Sequence, residues 1–365
     1  MEALSQSAQH DFYHLPEYHA LEEERQGATA FLFAYGEGRH RIALPLLLRP
    51  IDQVAGLEET ARGLQDATSV YGYAGPVAGE GELPETMRAD FRQALLAALA
   101  ELRVVAVFSR LHPLLSQTPL LAGLGECHAT GQTISIDLTL PPDRQRAQYR
   151  RTYVADIKQL HQRGVTCDFG GDDSFLQEFI DIYYETMERV GASATYFFER
   201  GYFERLLAIP GSRVHVGLAR KEGAPIGAAL LTVCDGIVQH HLAGTRTAYT
   251  RISPMKLVID AARCWANDQG LRVYHHGGGL GAREDSLFHF KAGFSNRRHP
   301  FFTWRWRVDP GLYERLCAKK HRWNQEHGLA SAASGYFPEY RAPTVAGEQA
   351  SSIPASAPDV TRASK

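Results

Sequence analysis

Apolar residues recur along this chain with two spacings, every second position or every third to fourth, and the switches between them mark strands and helices. In the second half, Val165 to Phe169 reads as a short strand. Phe175, Phe179, Ile182, Tyr183 and Met187 then line one face of a helix opened by a capping box at Ser174 and Gln177. A second helix is predicted around Tyr202 to Ile209, and three strands follow in a row. Val214, Val216 and Leu218 alternate with Arg213, His215 and Gly217 over Arg213 to Arg220, an apolar run covers Ile226 to Cys234, and Ile237 to Gly244 follows a turn at Asp235 and Gly236. The clearest helix has Ser253 as N-cap, Pro254 at its first position, Leu257, Val258, Ala261, Cys264 and Trp265 on one stripe, and Gly270 as its stop. Beyond it come strand Arg272 to His276, a short helix near Ser286 to Ala292, strand Phe301 to Val308 and helix Pro310 to Glu326.

The first 140 residues repeat this order more loosely. Strands are predicted at Thr29 to Tyr35, Arg41 to Leu48 and Val70 to Tyr73, then a helix with Phe91, Leu95, Leu99 and Leu102 on one face, then strands Val104 to Ser109 and Thr133 to Leu138. A basic helix around Arg144 to Arg163 joins the halves. Hairpin-linked strands followed by crossover helices exclude a purely doubly wound sheet. The expectation is an α/β (α+β) chain of two tandem lobes, residues 1–140 and 141–329, each a mixed sheet flanked by helices. Residues 330–365 are rich in Ala, Ser and Pro and are expected to be a disordered tail.

Composition narrows the function classes. A length of 365 residues with 44% hydrophobic and 22% charged residues suits a soluble globular protein of two domains. The net charge of -2 argues against bulk electrostatic binding to DNA, leaving only local clusters such as Arg144, Arg146, Arg150, Arg151 and Lys158, with Arg297 and Arg298, to meet phosphates. Five widely spaced cysteines without a C-x-x-C pair fit reduced thiols, and no signal peptide or roughly 18-residue apolar run is visible. The expected location is cytoplasmic. No G-x-S-x-G elbow, Walker A loop or H-E-x-x-H helix is present, which excludes the usual serine hydrolase, P-loop and zinc-protease patterns.

Several segments carry a more specific signal: YGYAGPV at 71–77, SRLHP at 109–113, HLAGT at 241–245, SPMKL at 253–257, HHGGG at 275–279 and DSLFHFKAGF at 285–294. Together with the element order, they resemble the FemAB-type branch of the GNAT acyltransferase superfamily across nearly the whole folded chain. The resemblance implies a two-lobed transferase. The best-known members of that branch move an amino acid from aminoacyl-tRNA to an amine of a peptidoglycan precursor, and relatives are taken to N-acylate amino sugars from acyl-CoA. This chain lacks both the long helical arm of the larger peptidoglycan-bridge enzymes and a Q/R-x-x-G-x-G/A loop for CoA pyrophosphate. The expectation is an N-acyltransferase using acyl-CoA as cosubstrate, with no permanently bound cofactor or metal, acting on a small-molecule or lipid-linked sugar precursor. Transfer from aminoacyl-tRNA and a catalytically silent precursor-binding module are the competing readings.

The candidate chemistry centres on Lys291, flanked by Phe290 and Phe294. The resemblance makes this lysine functional: its ammonium stabilises a tetrahedral oxyanion or holds a donor phosphate. A lone lysine snorkelling over aromatic rings is the bland alternative. His241 or Asp285 is the candidate base, since an amine must be neutral to attack. Ser253, Gly277, Gly278, Gly279 and Phe290 are donor-binding candidates, although HHGGGLGA also spells a weak G-x-G-x-x-A fingerprint or a plain tight turn. Tyr71, Tyr73, Arg110, His112 and Arg151 are acceptor-binding candidates, with core packing of a tyrosine as the alternative. His240 with His241 and His275 with His276 lie on predicted strands, where alternation sends one of each pair to either face. A zinc site built from them lacks a third ligand of sensible spacing.

Overall fold

The computed structural model describes residues 9–37, 40–79, 83–211, 213–331 and 335–346. Two compact units result. Unit 1 combines Met1–Ala129 with Phe301–Ser356, and unit 2 covers Thr130–Pro300.

In unit 2 the strands Val165–Gly170, Val214–Lys221, Ala224–Cys234 and Ile237–Thr245 pair antiparallel in sequence order. Helix Met255–Asp268 then crosses back and delivers Val273–Gly277 parallel to Ile237–Thr245. Glu126–Asp137 runs antiparallel to Val273–Gly277. Leu257, Val258, Ile259, Ala262 and Ala266 form the buried stripe of the crossover helix, and with Ile157, Leu231, Val238, Tyr274 and Phe294 they make the core of the unit.

Unit 1 repeats the plan. Thr29–Tyr35, Ile42–Pro50 and Gln65–Thr68 are antiparallel, helix Glu85–Glu101 crosses over with Phe91, Leu95 and Leu99 buried, and Val104–Arg110 returns parallel to Gln65–Thr68. Its last strand is Arg298–Arg307, antiparallel to Val104–Arg110. Each unit therefore includes a strand drawn from the other half of the sequence. This overturns the expected boundaries: Thr133 to Leu138 belongs with unit 2, and the closing strand and helix Pro310–Glu326 belong with unit 1. There Tyr313, Leu316 and Cys317 pack on Ile51, Leu57 and Val105.

Local expectations also needed correction. The strand at Val70 to Tyr73 is instead Gln65–Thr68, and residues 71–75 form a loop in which Gly72 (φ +113°) lies so close to Tyr13 that a Cβ would meet its ring at 2.3 Å. The basic helix is two helices, Pro142–Arg146 and Arg151–Gln162, broken at Arg150, whose N–H donates to the Gly293 carbonyl at 2.8 Å. Helix Asp173–Arg189 is capped by Asp172 rather than by a Ser174 box, and Ser253 (φ +50°) ends a 3-10 turn without capping the helix that follows. The tail is ordered in part. Leu329–Ser331 pairs with Thr344–Ala346, Tyr340 is buried, and Arg341 pairs with buried Asp66. Aromatic packing and a buried carboxylate supply what the Ala/Ser/Pro composition lacks; residues 332–334 and 347–365 lie outside the described residues.

Candidate functional site

Strands Ile237–Thr245 and Val273–Gly277 are paired at only three positions, Ile237 with Val273, Val238 with Tyr274 and Gln239 with His275. Immediately beyond, both strands break register: one between His240 and Leu242, the other between His275 and Gly277. Bulges of this kind end pairing and re-aim side chains. Here they stand where two parallel strands part.

His240 and His276 come together at this fork, with ring centroids 6.1 Å apart and planes 28° from parallel. The His240 Nδ1 is 2.8 Å from the Tyr274 hydroxyl. Tyr274 lies 4.3 Å from the His276 ring, and Phe294 stacks on that ring at 6.0 Å and 9°. Burial disfavours the charged imidazoles, and the Lys291 charge adds to the effect on both rings. His240 is pushed down to about 3 and His276 well below its ordinary value. Both rings are neutral at pH 7.

The charge comes from the loop below. Lys291 ends the short helix Ser286–Lys291, and its Nζ donates to the Gly278 carbonyl at 2.6 Å. Desolvation lowers Lys291 to about 8, while the carboxylate of Asp285 pulls the other way. It therefore remains mostly an ammonium at pH 7. Asp285 has both oxygens engaged: Oδ1 accepts the Phe288 N–H and caps the helix, and Oδ2 accepts the Leu280 N–H, each at 2.9 Å. The glycines serve this tight loop. A Cβ on Gly279 would stand 2.1 Å from the Arg283 carbonyl oxygen and 2.3 Å from the Asp285 carboxylate, and one on Gly278 2.7 Å from the Gln132 carbonyl. Gly293 has no room for a side chain either, because a Cβ would meet Tyr153 at 2.1 Å. The pattern F-K-x-G-F thus reads as two rings in the core cluster of unit 2, a lysine on the glycine loop, and a glycine that lets Tyr153 approach.

The other candidates are placed as follows. His241 is buried beside His240, and His275 bonds Gln239 at 2.6 Å. Phe290 packs on Tyr153 and Phe294, Ser253 ends the 3-10 turn ahead of helix Met255–Asp268, and Arg151 is exposed at the start of its helix. In unit 1, Tyr71 binds through its backbone, the carbonyl accepting from the Tyr18 hydroxyl and the N–H donating to Glu22. Tyr73 packs edge-on to Phe301 and Tyr13, and Arg110 is exposed with its guanidinium over Phe108. His112 faces Asp11 at 2.9 Å, both side chains wholly buried. Its Nδ1 accepts the Leu114 N–H, so its Nε2 carries the hydrogen and donates to Asp11. Sequence reasoning flagged the histidine pairs but not which members meet at the fork, since that depends on the bulges. Asp11, His14 and Tyr274 went unnoticed, as none lies in an unusual spacing. Among the described residues no group of three or more His, Cys, Asp or Glu is placed to hold a metal.

Residues 144–291, which contain the fork and the lysine, match the family model described as acetyltransferase (GNAT) domain. The match falls within unit 2. The whole chain resembles the crystal structure of FemX at 13% identity, with 86% of this chain and 96% of that one covered and a TM-score of 0.65. The C-terminal DUF2156 domain of an Agrobacterium fabrum protein taken to be a lysylphosphatidylglycerol synthetase aligns at 15% identity over 86% of this chain and 95% of its own, with a TM-score of 0.54. L-PGS from Bacillus licheniformis aligns at 13% over 81% and 92%, with a TM-score of 0.52. At these identities the likeness is one of fold, and it covers both units. No curated protein matches the chain. No described helix is long and apolar enough to cross a membrane.

Proposed function

We propose that the GNAT domain N-acylates an amine of a cell-envelope or polysaccharide precursor such as an amino sugar, with acyl-CoA as donor. The observation that carries this reading is the Lys291 ammonium held on the glycine loop beside two neutral imidazoles where the parallel strands part. An ammonium has three N–H donors and Gly278 takes one, leaving donors for the oxygen of a tetrahedral intermediate. A neutral amine attacks the thioester carbonyl and the carbon–nitrogen bond forms. The carbon–sulfur bond then breaks with its electron pair on sulfur, and the amine proton ends on the thiol or in solvent. We assign Asp285 to holding the loop, because both its oxygens accept backbone N–H groups.

A small-molecule donor is favoured by charge. Arg297 pairs with Asp137 and Arg298 with Glu284, so part of the local basic cluster is already neutralised, on a chain of net charge -2. A polyanion such as tRNA would need several free cations and would give a steep loss of affinity with salt. The test is a donor screen by intact-mass change of an amino-sugar acceptor, comparing acyl-CoA species with charged tRNA. RNase-sensitive transfer moves the reading to aminoacyl-tRNA, and binding without turnover by any donor moves it to a silent module.

A further inference from the structure

His276 is 1% exposed, and neither ring nitrogen has a hydrogen-bond partner among the described residues. Buried polar groups are nearly always paired, and each exception requires an explanation. Packing fixes this ring tightly. Phe294 stacks parallel to it on one side, Tyr274 lies against it, and His240, its neighbour across the fork, is turned to the Tyr274 hydroxyl. The ring is thus held in one orientation by groups that offer its nitrogens nothing. A neutral imidazole brings one N–H and one lone pair, and both stay unmatched beside the Lys291 ammonium.

We propose that His276 is a substrate-contacting residue of the transfer site: its lone pair accepts a hydrogen bond from the attacking amine in its uncharged form, and its N–H serves the acyl oxygen beside Lys291. The inference rests on the acyl-transfer reading above. It adds a selection rule, because a cationic amine would meet the lysine charge, whereas a free-base amine can donate to the ring without that repulsion. The substrate class is therefore an amine bound without its charge.

His276→Phe and His276→Asn test this. Phenylalanine keeps the ring shape and removes both unmatched nitrogens; asparagine keeps a donor and an acceptor. If the nitrogens wait for substrate, His276→Phe melts at or above the wild-type temperature, since burying unpaired polar atoms costs stability. Its kcat/KM for the transfer found in the donor screen falls about 10-fold or more, the loss expected for a hydrogen bond made in the reacting complex. His276→Asn is expected to recover part of that activity. Three results overturn the inference: wild-type kcat/KM in His276→Phe, a lower melting temperature restored by His276→Asn, or failure of both variants to fold, each of which marks a structural ring. A wild-type protein that transfers from no donor overturns the acyl-transfer reading instead, and is distinguished by the wild-type control alone.

Discussion

Asp66, in strand Gln65–Thr68, has a carboxylate with no exposure to solvent. Its Oδ1 accepts from the Arg49 Nε at 2.7 Å and its Oδ2 from the Arg341 Nε at 2.5 Å, while the Arg341 Nη2 donates to the Pro50 carbonyl at 2.8 Å. Removing one partner of a buried ion pair costs about 3–5 kcal/mol when the remaining charge is left alone. Here Arg49 stays in place, and Arg341 is 17% exposed, so water replaces part of what is lost. For Arg341→Ala this leaves about 2–3 kcal/mol. In a unit of this size that lowers the melting temperature by about 4–12 °C. A chain ending at Ser331 also loses Tyr340, 1% exposed and packed on Tyr313, and burial of a large aromatic side chain is worth about 3–5 kcal/mol. The two losses are neighbours and do not simply add. Scanning calorimetry of Arg341→Ala, of a chain ending at Ser331 and of one ending at Ala346, which keeps every contact named here, measures the effect. A chain ending at Ser331 that melts within about 2 °C of the full-length protein refutes the reasoning.

Acid should destabilise the protein early: His14 and His240 are pushed down to about 3 and His19 to about 4 by burial, so below about pH 6.5 the unfolded chain binds protons that the folded one refuses. Stability is full above that pH and is lost as pH falls toward 4, by about 1.4 kcal/mol per unit for each histidine, and a urea midpoint that stays flat between pH 7 and about 5 counts against it. Transfer rates should fall as pH rises through about 8, where Lys291 loses its proton, and Lys291→Ala in a folded protein should lose ~100-fold in rate; pH–rate profiles read both. Gly293→Ala drives a methyl group into Tyr153, which lies beside Phe294, and should cost ~1–3 kcal/mol in a denaturant melt.

Much of the second unit was legible because its signals are local. The periodicity of Val214 to Leu218, the apolar run Ile226 to Cys234, and the stripe of Leu257 and Val258 each report burial by neighbours close in sequence. The candidate lysine was legible for the same reason: it stands in a short motif whose two phenylalanines meet each other within unit 2.

What the sequence by itself determined is therefore most of the element order and the strand–helix–strand plan of each half, together with the short motif that holds the candidate Lys291. The tertiary structure alone decided three things. Glu126–Asp137 and Arg298–Arg307 each complete the sheet of the other half, because strand pairing is set by which edge is open rather than by order along the chain. Arg341 and Tyr340 are held by Asp66 and Tyr313, partners that lie 275 and 27 positions away and leave no trace in the composition of the segment itself. Finally, two bulges at the fork stand where His240 and His276 come ring to ring. A one-residue break in register sends a side chain to the other face of a sheet, and no periodicity in the sequence reports where such a break falls.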